Sequence, residues 1–305
     1  MSLILFAALG VALAGTPDLR SPEALGLDPS GTAAPAALAP AATAALAAPD
    51  ASALARAPVS DGMLQSLVES AGWRLRARAG AALQWRRDST FAAAVATAAP
   101  LTTRNGAIRF TDRTLRVPEA APLLVERLTS SDTPSAERAA LVDALRLSGG
   151  DWSEAVAGQL AVEPDALVRE QLAGALEHAE ADIAFTGLGL AVSDSDGGVR
   201  AAALRAIGER ADGARYEAFI VAALRDTDPE ARALAVRAAG WLGLTSTWNA
   251  VAALLSDPDA DVRLKAVASL ERLDAARAAG LPGLQALTRD PDARVARAAE
   301  RVLGR

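Results

Sequence analysis

Few residues in this sequence could carry out chemistry. There is no cysteine, and His178 is the single histidine. Disulfides, thiol nucleophiles, Cys-ligated metals and multi-histidine metal sites are therefore excluded. A lone imidazole acts as a general base only with a partner in hydrogen-bond reach. Glu177 and Glu180 lie close in sequence but on different helix faces, so His178 reads as a solvated helix end. No Ser/His/Asp triad can be assembled around it. The pairs Asp194/Asp196 and Asp257/Asp259 lack the spaced oxygens and closing Glu of a calcium loop, and they read as helix caps. Gly187-Leu-Gly189 has no phosphate-loop continuation. The expectation is a non-enzyme with no metal and no cofactor.

The remaining chemistry-capable residues are rows of acids and arginines, and their spacing is regular. Acids recur at Asp132, Glu163, Asp194, Asp226, Asp257 and Asp290, at intervals of 31, 31, 32, 31 and 33 residues. Six residues after the first five stand Arg138, Arg169, Arg200, Arg232 and Arg263; after the sixth stands Ala296. Six units at this period indicate a solenoid. Within a unit such as Asp257-Pro258-Asp259-Ala260-Asp261-Val262-Arg263, the first Asp is expected to N-cap a helix, with Pro in its first turn. Val262, Ala266, Ser269 and Leu270 then share one face, as do Val199, Ala203, Ala206 and Ile207. Small residues there allow close helix approach. A preceding helix in each unit is also apolar on one side, as in Trp152, Val156, Leu160 or Tyr216, Ile220, Leu224 or Trp248, Val251, Leu255. Such hairpins cannot bury their apolar faces alone and must stack.

The segment Asp194-Ser-Asp-Gly-Gly-Val199-Arg200-Ala-Ala-Ala-Leu-Arg-Ala-Ile-Gly208, with its counterparts at Asp226 and Asp257, resembles HEAT repeats, specifically phycobilisome-lyase-type HEAT-like units. The resemblance covers about residues 118–305. It implies an all-α, right-handed α-solenoid of stacked helical hairpins, with the second helices lining a concave face. It also implies that Arg138, Arg169, Arg200, Arg232 and Arg263 form a structural ladder between units with Asp194, Asp226, Asp257 and Asp290.

Positions 7, 8 and 11 residues after each anchor should point away from the hairpin core. They supply the candidate partner-binding residues Glu170, Gln171, Arg205, Arg237, Lys265 and Arg301, a mixed strip that grows more basic toward the C-terminus. The expected function is a non-catalytic scaffold or adaptor for a protein partner. Two alternatives are a lyase-accessory or chromophore-binding role, which rests on the family likeness alone, and nucleic-acid binding in the concave groove. The net charge of −6 opposes the last.

The rest of the chain positions this array. Half of the residues are hydrophobic (51%) yet only 4% are aromatic, so Ala-rich helices are expected in place of a β core. Residues 1–14 contain an apolar run ending in Ala12-Leu13-Ala14, shorter than the ~20 residues of a membrane span, and read as a signal peptide. Export, to a periplasmic or other extracytoplasmic location, is the corresponding expectation. Residues 15–60 carry prolines at 17, 22, 29, 35, 40, 49 and 58 and read as a flexible Ala/Pro-rich linker. Residues 61–117 recover helical periodicity, with Asp61 as N-cap, and are expected to cap the array. A short β-hairpin is expected from Ile108–Phe110 and Leu115–Val117. This cap holds nine arginines against four acids, and the array 20 basic residues against 29 acidic ones. A basic helix over 73–87 carrying Trp73 and Trp85 could contact an anionic membrane surface.

Overall fold

Asp165, Asp196, Asp228, Asp259 and Asp292 each stand just before a helix in extended backbone, and each accepts hydrogen bonds from one or two amides of the first turn. They set where the second helix of each hairpin begins. In a computed structural model that describes residues 48, 50–70, 72–104 and 106–304, this local rule repeats along most of the chain. The expected signal peptide (1–14) and the 15–47 part of the expected linker lie outside the described residues.

From the N-terminus the helices are α1 (Ala51–Arg56), α2 (Asp61–Ser70), α3 (Trp73–Arg87) and α4 (Ser89–Thr97). Six hairpins follow among the described residues: α5 (Ala121–Thr129) with α6 (Ser135–Ser148), α7 (Ser153–Val162) with α8 (Ala166–Ala175), α9 (Ala181–Ala191) with α10 (Gly197–Glu209), α11 (Glu217–Ala223) with α12 (Pro229–Trp241), α13 (Trp248–Ala253) with α14 (Ala260–Ala279), and α15 (Pro282–Ala286) with α16 (Ala293–Val302). The second helices pack in series, α6 on α8, α8 on α10, and onward to α16. Val199, Ala203, Ile207, Val262, Ala266 and Leu270 are fully buried in that stack. Close approach needs small residues: a Cβ at Gly240 of α12 would lie 2.6 Å from Ser269 Oγ of α14. That hydroxyl donates to the Val236 carbonyl at 2.8 Å, a hydrogen bond between neighbouring units.

Four expectations are corrected at the N-terminal end. The linker does not run to residue 60, because α1 is packed: Ala51 and Leu54 are wholly buried, and Asp50 caps the helix by accepting from Ala53 N. Pro58 follows this helix without preventing it. Ser60, not Asp61, accepts from Met63 N at the start of α2, while Asp61 pairs with Arg86. The two-stranded hairpin pairs Leu101–Thr102 (β1) with Ile108–Arg109 (β2), and Leu115–Val117 is not a strand. Gly106, at φ +82°, supplies the left-handed turn residue, while Asp112 instead caps a 3-10 turn over Arg113–Leu115. Finally, α3 is not a free amphipathic helix. It is packed by α1, α2, α4, α5 and α7, and Trp73 is 2% exposed. Arg86 donates to the carbonyls of Ala55 and Ala57, Arg78 to that of Ala48, and Arg76 pairs with Glu154. The arginines read as a membrane-facing row thus tie the cap together. Among the described residues no helix is long and apolar enough to cross a membrane.

The cap docks through an aromatic wedge: a Cβ at Gly158 of α7 would meet the Trp73 indole at 2.4 Å. Gly158→Ala is expected to lower stability by about 1–3 kcal/mol through overpacking, read from urea unfolding followed by tryptophan fluorescence. Glu126 of α5 is largely buried, and this desolvation raises its carboxyl above the usual 4.5, against the opposing hydrogen bond from Ala51 N. Its stabilising contribution is complete below pH 4.5 and is lost as pH rises through the raised folded value. Glu126→Gln should therefore melt above wild type at pH 8, with the gap closing toward pH 4.

Candidate protein-binding surface

Two sets of side chains divide the second helices: one locks the units together and the other faces solvent. The locking set is a row of guanidinium forks. Arg138 holds Glu163 through Nε at 3.1 Å and Nη2 at 2.7 Å. Arg169 holds Asp194 (2.8 and 2.9 Å), Arg200 holds Asp226 (2.7 and 2.6 Å), Arg232 holds Asp257 (both 2.9 Å) and Arg263 holds Asp290 (2.7 and 2.8 Å). Each Nη1 turns back to carbonyls of its own unit's loop; that of Arg200, for example, reaches Asp194 O at 3.0 Å and Ser195 O at 3.2 Å. One planar side chain thus ties two consecutive loops, which only a bidentate group with spare donors can do.

The acids of the row have a second task. Asp194, Asp226, Asp257 and Asp290 each accept the amide two residues on, that of Asp196, Asp228, Asp259 and Asp292. This corrects the capping assignment. The second acid caps the helix, as Asp259 does with Asp261 N and Val262 N, and the first is spent on the fork and the loop. Pro258 accordingly lies ahead of the cap, whereas Pro229 does occupy a helix's first turn. Both carboxylates of each Asp-x-Asp pair are thus engaged within the fold. Asp132 lies in the acid row but receives no arginine fork; its amide bonds Ser130 Oγ. The first fork acceptor is Glu163, whose side chain is fully buried.

Burial is the largest single effect on the carboxyls of Asp194, Asp226 and Asp257 and raises them, but the paired guanidinium and the amide two residues on together outweigh it and hold each below 3.8; for Asp290 the Arg263 bond is itself the largest effect. Groups depressed on folding stabilise the fold above their unfolded values, and this is lost as pH falls through the lower folded values. The melting temperature is therefore expected to fall steeply below about pH 4, and Asp226→Asn should flatten that slope. Arg200→Ala, which strands a mostly buried carboxylate, should cost about 3 kcal/mol in chemical denaturation.

The second set contains the six candidate partner-binding residues, of which Gln171, Arg205 and Arg301 are exposed and Glu170, Arg237 and Lys265 are half-buried. Three of them are joined across units: Arg205 to Glu230 at 3.2 Å, Arg237 to Glu209, and Arg301 to Glu271 at 3.0 Å. Among the described residues Glu170 and Lys265 take part in no ion pair, and Gln171 is uncharged. Positions fifteen after the anchors add what the candidate set lacked: Leu147, His178, Glu209, Trp241 and Arg272 on successive units. Leu147 is 51% exposed and Trp241 59%. His178 is exposed, with Nε2 3.8 Å from Glu177 Oε1. Arg272 stacks over the Trp241 ring at 3.9 Å and Arg237 lies 5.9 Å from it. Together with Lys265, Ala268, Ser269 and Glu271 they line an open groove. A second unforeseen element is Arg210, which donates to the carbonyls of Leu176, Glu177 and Ala179 while holding Asp212, closing the end of α8.

The stacked hairpins and repeated packing are those of an all-α, HEAT-like solenoid. Two overlapping stretches, residues 185–271 and 217–304, match the family model described as HEAT repeats. Among solved structures the chain is similar to the Escherichia coli protein YibA, at 22% identity over 59% of this chain and 68% of that one, with a TM-score of 0.48. It is also similar to two engineered proteins. One is 22% identical over 59% of this chain and 94% of its own, TM-score 0.44. The other is 21% identical over 86% and 72%, TM-score 0.41. No curated protein matches the sequence.

Proposed function

We propose that this chain is a non-catalytic scaffold that binds a protein partner along the exposed face of its second helices. The observation that carries this reading is the division of labour on those helices. The fork residues are consumed in holding the loops, while an adjacent continuous row running from Arg205 through Arg237 and Trp241 to Lys265 and Arg272 contributes no fork and varies in type from unit to unit. An exposed indole among cations is a surface that interfaces favour, since Trp and Arg dominate binding energy at buried anchors. Export of the chain and the finer kinship with phycobilisome-lyase-type repeats are parts of the same proposal, motivated by residues 1–14 and by the text of 194–208.

The test uses a photo-crosslinking amino acid at position 171 of the full chain in its native host, with cross-linked species identified by mass spectrometry. The triple charge reversal Arg205→Glu, Arg237→Glu and Lys265→Glu is expected to abolish the cross-linked species while leaving the helical circular dichroism unchanged. Because Arg205 is paired to Glu230, the exchange Arg205→Glu with Glu230→Arg restores the ion pair and serves as the folding control. Identical cross-linked species from wild type and the triple variant would overturn the proposal.

A further inference from the structure

The chain has five tryptophans, and four lie in or against the core: Trp73, Trp152 and Trp248 are 2%, 7% and 5% exposed, and Trp85 is partly buried. Trp241 departs from this pattern. It ends α12 with 59% of its surface open, at a position where neighbouring units place Glu209 and Arg272. The Arg272 guanidinium stacked on its ring at 3.9 Å fixes both groups. Stacking uses the flat face of a guanidinium and leaves its in-plane N–H donors free for a carboxylate. Among the described residues Arg272 makes no ion pair, nor does Lys265 on the same groove, whereas Arg237, which also lines it, and Arg301 beside it are neutralised by Glu209 and Glu271. Two uncompensated cations and an open indole therefore converge within a chain whose net charge is −6 and whose array is acidic overall.

We infer that the groove formed by Trp241, Lys265 and Arg272 is a docking site for an acidic segment of a partner protein. In that segment a bulky apolar side chain sits beside carboxylates. The apolar side chain covers the free part of the indole, one carboxylate takes the Arg272 fork and another lies against Lys265. Charge complementarity sets the sign of the partner, and the indole sets the requirement for an apolar anchor. A polynucleotide fits less well, because Glu209 and Glu271 flank the groove and there is a single aromatic platform where a strand needs a succession of them. This inference rests on the reading of the second-helix face as the binding surface, and it names the chemistry of what binds there.

The full chain would be titrated into fluorescein-labelled synthetic peptides by anisotropy. The first peptide carries Glu and Asp around a central Phe; the second replaces Phe with Ala; the third replaces the acids with Gln and Asn. A single-stranded oligodeoxynucleotide is the fourth probe. Expected are binding of the first peptide, affinity about tenfold weaker for the second and third, and loss of binding as salt rises. Trp241→Ala and Arg272→Glu should each weaken the first peptide about tenfold, and Trp241→Phe should restore most of it. Circular dichroism melts of each variant verify that the fold is retained. Absence of binding by the first peptide, equal affinity in Trp241→Ala, or tighter capture of the oligonucleotide would each overturn the inference. If the peptide fails while cross-linked species at position 171 still depend on the face charges, the scaffold reading stands and only the acidic-segment inference falls.

Discussion

The array depends on one arrangement: a guanidinium fork whose two outward nitrogens reach the acid of the next unit while its third reaches carbonyls of its own loop. In the Arg200 rung the fork closes on Asp226 at 2.7 and 2.6 Å and the remaining nitrogen bonds Asp194 O. These partners lie in loops between helices, where backbone carbonyls and amides would otherwise need water. Each rung therefore solves a local hydrogen-bonding problem in two units at once. The separation of consecutive hairpins follows from it, and so does the requirement for small residues such as Gly240 where neighbouring helices meet.

The acids show how one residue type serves two ends. Asp194 accepts an arginine and the Asp196 amide, and Asp196 accepts Gly198 N and Val199 N. The first fixes the unit to its neighbour and the second starts the helix. Alternation of the two explains why Asp-x-Asp recurs from unit to unit. The side chains beyond this framework are free to differ from one unit to the next. Leu147, His178, Glu209, Trp241 and Arg272 do so at one structural position.

The repeat was legible in the sequence because its period and its Val-Arg pair are set by local geometry that every unit must reproduce. The hairpins at residues 118–304 follow that register, and their apolar faces are buried where periodicity placed them. What was not legible depended on contacts remote in sequence. Helix α1 exists because Ala51 and Leu54 find α3, and nothing within 50–58 announces that partner. Trp73 and the arginines of α3 resembled an amphipathic surface until their partners, Gly158, Glu154 and the carbonyls of α1, were known. The distinction between the fork acid and the capping acid turns on a two-residue offset that composition alone does not resolve. Trp241 sits at a position whose residue type differs in each unit, and its stacking with Arg272 requires the next unit in space.

The forks also give the chain a mechanical character. Load applied along the array would be borne in series by the rungs, each a compact bidentate clasp that breaks over a short distance. A hairpin released in this way frees about 31 residues, roughly 100 Å of extended chain, while its neighbours stay closed. Under force the array would therefore lengthen in discrete steps, one hairpin at a time.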